Sequence, residues 1–262
     1  MPLSANFPVR DLFKGFKNRD RCRYCSPQGF YPLTRALPPW FAAASLFLCA
    51  LGLFVGFFVA PADAQQGDAY RIMFIHVPAA WMSMLIYLLL ALCVGVGLAF
   101  NARLPPMAAQ ALAPTGAMFA FLALWSGSLW AKPIWGAWWV WDTRLISEFI
   151  LLFLYSGFIA LQAAIDDEHL ADKVGAALVL AGIVNIPINV LSVESRTTLL
   201  QGASISLSSP PGMAASMLAG TLLMAVGFFL YSCAVVLLRL RCVILERERD
   251  SNWVVARGNA SP

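Results

Sequence analysis

Long apolar stretches alternate with short polar connections along most of the chain, each stretch closed by charges, prolines or glycines. About 20 mostly apolar residues in a helix cross roughly 30 Å of hydrocarbon. Six windows of that kind occur: Trp40–Ala60, Ala79–Phe100, Pro106–Trp130, Leu145–Ala164, Val174–Val193 and Met213–Leu238. Glu148 is the one acidic or basic residue inside them. Only helices and closed barrels satisfy their backbone groups in lipid, and runs of this length are helical. The pattern therefore predicts an all-α, polytopic integral membrane protein with six transmembrane helices. Residues 1–39 form an N-terminal tail, 40–240 the membrane domain and 241–262 a C-terminal tail.

Composition agrees: 60% of the residues are hydrophobic and 12% charged, far from the balance of a water-soluble domain. The net charge of +4 does not indicate a nucleic-acid surface, because the basic residues sort by membrane side. The N-terminal tail, second and fourth connections and C-terminal tail hold fourteen of them; the other connections hold Arg71, Lys132, Arg144 and Arg196. Both termini are expected to be cytoplasmic, with connections one, three and five outside. The first span follows too long a leader for a signal peptide and reads as an uncleaved anchor. The proline-rich leader itself reads as a loosely ordered tail. Cys22 and Cys25 have the spacing of a metal or redox pair but no second pair or nearby histidine, and read as a reduced, incidental pair.

Five of the nine tryptophans fall in one short stretch, at 130, 135, 138, 139 and 141. Tryptophan favours the headgroup level, but a belt is spread over many helix ends. Five indoles in the third connection, 130–144, bent by Pro133 and Gly136, predict a flat aromatic platform for a large planar apolar ligand. Asp142 stands where it would cap the fourth span. Arg144 and Glu148 are spaced to meet on one helix face, which would explain a buried acid; Arg144 is also placed to bind an acidic ligand group.

There are two histidines. His76, two residues before Pro78, lies at the outer end of the second span, on the membrane side of the tryptophans. A lone histidine is usually structural, but a neutral imidazole there is placed to ligate a metal above the aromatic surface. His169 falls in a cytoplasmic connection across the bilayer and cannot share that site. Asn185, Pro187 and Asn189 interrupt the fifth span and mark an inward-facing or functional side.

The stretches Ala60–Gly67, Arg71–Ala80, Ser126–Leu154 and Val184–Ile188 resemble the tryptophan-rich heme-handling proteins of bacterial cytochrome c maturation, the CcmC family. The resemblance runs from about residue 40 to about 235, and its most specific part is Trp135-Gly-Ala-Trp-Trp-Val-Trp-Asp-Thr-Arg-Leu145. It implies heme b held at the periplasmic face of the inner membrane, with histidine axial ligation, and delivery to a periplasmic heme chaperone. His76 is then the expected iron ligand, and Trp135, Trp138, Trp139, Trp141, Asp142 and Arg144 the expected heme-binding residues. A small single-span partner and an ATP-binding-cassette complex are implied as well, and no catalytic turnover.

The chain departs from the family at one place. Where the family reads Ser-Val-Glu-Trp-Trp-Asn-Thr-Leu-His-Gln-Gly, this sequence reads Ser192-Val-Glu-Ser-Arg-Thr-Thr-Leu-Leu-Gln-Gly202, so Leu200 replaces the second ligand histidine. Two-histidine ligation within the chain is excluded by inventory. Heme is then held by His76 with a weak, external or absent sixth ligand, Met213 being a candidate, or heme binding is weakened and the chain serves as an assembly scaffold. A transport subunit of a heme export complex is the further alternative. It would call for polar residues along several spans, and only Glu148, Asn185 and Asn189 stand out.

Overall fold

A computed structural model describes residues 25–63, 66–194 and 213–258. Among them six helices are long and apolar enough to cross a membrane: Pro38–Val59, Asp68–Phe100, Leu104–Trp135, Thr143–Ala164, Glu168–Leu191 and Ala215–Arg247. The chain is a multi-pass, all-α membrane protein, and no strand is found among the described residues. In chain order the helices are α1 (Pro27–Ala36), α2 (Pro38–Phe54, extended by a π turn to Val59), α3 (Met73–Phe100, preceded by a 3-10 turn from Asp68), α4 (Leu104–Trp135), α5 (Thr143–Ala164), α6 (Glu168–Gly182), α7 (Asn185–Glu194), α8 (Ala215–Arg247) and α9 (Asn252–Gly258).

Residues 27–36 depart from the expected loose tail. Ser26 accepts from the Gly29 amide, Pro27 starts the helix, and Tyr31 and Thr34 are buried on one face. Tyr31 packs with Leu240 and Ile244 of α8 and meets Trp253 edge to face at 5.6 Å, so α1, α9 and the end of α8 lie at one end of the bundle. Cys25 is disulfide-bonded, which corrects the expected reduced thiol at that position; Cys22 lies outside the described residues.

At the opposite end α3 begins earlier than expected. Pro78 is inside the helix, in its second turn, because the 3-10 turn from Asp68 leads straight into Met73. Arg71 anchors that turn, bonding Asp68 at 2.9 Å and donating to the Gly56 carbonyl at 2.6 Å. Asn101, at φ 48°, closes α3, and Pro105 and Pro106 open α4, giving a tight antiparallel hairpin.

Small residues let α3, α4 and α5 approach closely, the usual device where the solvent is lipid. Ala79, Ala109, Ala113, Ala120 and Ala123 are buried in the core with Tyr87, Phe119, Leu151, Tyr155 and Phe158. Tyr87 and Tyr155 meet edge to face at 5.3 Å. The first span lies against the last: Ser45 donates to the Gly227 carbonyl at 2.8 Å, and Gly52 faces Met224. The fifth span breaks between α6 and α7 because Pro187 has no amide to offer the Ile183 carbonyl, which accepts from Ile186 instead.

Arg144 and Glu148 carry opposite charges that act on each other, as their spacing predicts, but they form no ion pair within 4 Å. Among the described residues the two Glu148 oxygens are taken by Ser83 and Asn189, at 2.7 and 3.0 Å. Neutral donors from neighbouring helices make the direct hydrogen bonds to the carboxylate.

Candidate functional site

His76 sits one turn into α3 and is 8% exposed. Its Nδ1 lies 2.9 Å from the Ala123 carbonyl and 3.2 Å from Ser126 Oγ, both on α4. A carbonyl only accepts, so Nδ1 carries the proton. Ser126 gives its own proton to the Leu122 carbonyl at 2.6 Å and is free to accept a share of the imidazole N–H. The lone pair is thereby held on Nε2, the tautomer that a metal-ligating histidine requires.

Trp130 closes one side of the imidazole, with centroids 5.6 Å apart and planes at 72°. Its own N–H donates to Gln66 at 2.9 Å, tying α4 to the connection before α3. Gly127 supplies the remaining clearance: a Cβ there would stand 3.0 Å from His76 Cε1. Ser126, Gly127 and Trp130 thus build the seat of His76. The periodicity of α4 places Ser126 and Trp130 on one face, the signal by which sequence reading alone would find them.

Of the tryptophan-rich stretch 130–144, α4 takes the residues up to Trp135. Gly136 ends the helix at φ 75°, donating from its amide to the Lys132 carbonyl, and Lys132 Nζ returns a bond to the Gly136 carbonyl at 2.9 Å. The Lys132 ammonium also lies 5.7 Å from the Trp138 ring. The extended remainder carries the indoles outward: Trp138 is 55% and Trp141 77% exposed.

The indoles do not form one flat platform. Trp139 meets Trp141 at 80° and Phe149 at 67°, each edge to face, the arrangement that ring quadrupoles favour. Trp139 is the inner member, and its N–H is buried without a hydrogen-bond partner among the described residues. Asp142 is the N-cap of α5, as expected, and accepts from the Arg144 amide at 2.8 Å. The Arg144 guanidinium makes no ion pair within 4 Å among the described residues, and the opposite charges acting on it are those of Glu148 and Asp142.

A profile of the heme exporter protein C family, CcmC, matches residues 21–255. The chain belongs to that family. Heme exporter protein C of Escherichia coli K12 is 45% identical over 228 residues, 87% of this chain and 92% of that protein. Those of Bradyrhizobium diazoefficiens and Paracoccus denitrificans are 42% identical over 223 residues and 36% over 237, covering 84% and 97% of their own lengths.

Within this CcmC-family chain the structure gathers His76, the tryptophan stretch, Asp142 and Arg144 at one end of the bundle. Met213 packs in the apolar cluster of Tyr70, Met73, Phe74 and Met217, to which Trp130 also belongs. His169 is exposed at the other end, in the first turn of α6, where its amide bonds Asp167 at 2.9 Å. Ser195, Arg196 and Leu200 lie outside the described residues.

Proposed function

We propose that this chain binds heme b at the periplasmic face of the bacterial inner membrane and passes it to a periplasmic heme chaperone during c-type cytochrome biogenesis. It is a binding and handover device and not an enzyme. The observation that carries the reading is the fixed tautomer of His76: Nδ1 is committed to Ala123, leaving Nε2 for iron. The surrounding groups suit the rest of the ligand. Exposed faces of Trp135, Trp138 and Trp141 fit the porphyrin, the Trp139 N–H and Asp142 lie beside them, and the Arg144 guanidinium fits a propionate. Heme would supply an iron with an open coordination position; the chain holds the imidazole and shields the porphyrin from water.

The periplasmic assignment rests on the distribution of basic residues, which favours a cytoplasmic location for the end holding α1 and α9. The relatives are named for heme export, and the matching function here would place the chain beside a small single-span partner and an ATP-binding-cassette complex, in contact with membrane lipid and with no nucleic acid. Leu200 favours a second reading, an assembly scaffold with weakened heme binding.

Visible spectra of the protein purified in detergent from a heme-replete host test both. A Soret band in the wild type that is lost in His76→Ala supports heme handling through a single histidine. A folded wild type without heme overturns it in favour of the scaffold.

A further inference from the structure

Glu148 is 6% exposed, lies within the span that follows the tryptophan loop, and has no part in the ligand contacts proposed above. A carboxyl buried at membrane depth is costly and is kept for a use. Three spans meet at this one. Ser83 of α3 places Oγ 2.7 Å from Oε1, and Asn189 of α7 donates from Nδ2 to Oε2 at 3.0 Å. Beside them Asn185 donates to the Ser147 carbonyl and Tyr155 to the Ser83 carbonyl, each at 2.8 Å.

The placement of these partners decides what the cluster can do. His76 and Ser83 are seven residues apart on α3, two helical turns, and so share a face. Glu148 itself lies on α5, whose first turn is capped by Asp142 at the end of the tryptophan loop. In sequence, α7 runs directly into the connection that contains Leu200. Sliding or rotating α3 against α5 would shift His76 relative to the indoles, and the Glu148 hydrogen bonds oppose that motion.

We propose that Glu148 is a positioning residue for the His76 site, holding α3 and α7 in register against α5 through Ser83 and Asn189. The proposal rests on the heme reading given above. It requires hydrogen bonding at Glu148 and no charge. The Ser83 oxygen also lies 2.8 Å from the Ala80 carbonyl, so its proton has a second acceptor. A glutamine at 148 can therefore donate to Ser83 Oγ, which turns its proton to Ala80, while the amide oxygen accepts from Asn189. Leucine makes neither bond. An acid kept for moving protons or cations would instead need its ionisable form.

The full-length protein in detergent, as wild type, Glu148→Gln, Glu148→Leu, Ser83→Ala and Asn189→Leu, separates these cases. Titration with hemin is followed by visible and electron paramagnetic resonance spectra. Peptide mapping of diethylpyrocarbonate modification at His76 is made without heme. The expected result is a wild-type spectrum and affinity for Glu148→Gln. For a folded Glu148→Leu, affinity falls roughly tenfold or more, as for lost supporting contacts around metal ligands, with an altered axial-ligand signature and faster His76 modification. Wild-type spectra and modification rates in a folded Glu148→Leu overturn the proposal, as does a Glu148→Gln that fails as fully as leucine. Should Glu148→Leu not fold, Ser83→Ala and Asn189→Leu decide: loss of the signature supports the proposal, and wild-type behaviour in both overturns it. A wild type that binds no hemin removes the heme reading alone, because the His76 modification rates still test the register.

Discussion

The imidazole Nδ1 of His76 lies 2.9 Å from the carbonyl oxygen of Ala123, 47 residues further along the chain. That bond joins the start of one span to the second half of the next and selects the tautomer with its lone pair on Nε2. A backbone acceptor in a helix cannot rotate away, so the orientation of the ring belongs to the α3–α4 pairing itself. Ser126 adds a second, side-chain contact at 3.2 Å.

Gly127 limits how closely that ring can be seated. A Cβ there meets Cε1 at 3.0 Å and Nδ1 at 3.4 Å, so Gly127→Ala must move the imidazole by a few tenths of an ångström. Helix propensity favours alanine at this position, and the fold is expected to hold. Overpacking of about 1 kcal/mol against the displaced ring corresponds to about fivefold weaker hemin binding. Titration of the detergent-solubilised variant, beside its circular dichroism, checks both halves. Unchanged affinity would show that the ring has room that the packing of α3 on α4 does not suggest.

Gly136 holds the turn out of α4 at φ 75°, a conformation that costs other residues roughly 1–2 kcal/mol. Nothing stands within 4 Å of a Cβ placed there, so the effect of Gly136→Ala is purely conformational. The substitution is expected to loosen the Lys132–Gly136 closure and with it Trp138. Quenching of tryptophan fluorescence by hemin should then saturate at roughly fivefold to tenfold higher concentration. An unchanged quenching curve would detach the turn from ligand binding.

Two glycines in the spans should respond to alanine with opposite signs. At Gly116 a Cβ overlaps the Tyr155 ring, which is fully buried and bonded to the Ser83 carbonyl. Gly116→Ala is expected to destabilise by about 1–3 kcal/mol through overpacking. At Gly95 nothing lies within 4 Å, and alanine is expected to stabilise by about 0.5–1 kcal/mol through helix propensity. Thermal unfolding in detergent, followed by circular dichroism, reads both. A stabilised Gly116→Ala would contradict the close approach of α4 and α5.

The existence of six spans was legible in the sequence because a helix in lipid must be apolar all round over a set length, a requirement read from composition alone. The capping role of Asp142 followed from local order, since an N-cap bonds amides only two or three residues away. The tryptophan stretch announced itself by clustering, and its sharing one end of the bundle with His76 followed from counting crossings. The hydrogen-bond partners of Glu148 were not legible. Arg144 is near in sequence, whereas Ser83 and Asn189 are 65 and 41 residues away. The flat aromatic platform was likewise wrong, because ring angles depend on quadrupoles and packing that spacing does not encode.

By itself, then, the sequence determined the solvent, the number and rough limits of the spans, and the residues available for chemistry. Each of these follows from local chemistry and the thickness of a bilayer. Only the tertiary structure decided that His76 is held by Ala123, that Trp130 rather than the outer indoles touches it, and that Glu148 is satisfied by α3 and α7. Those contacts depend on how helices rotate and slide against one another. In lipid that is set by close packing of small residues and by interhelical hydrogen bonds, not by any pattern along a single helix.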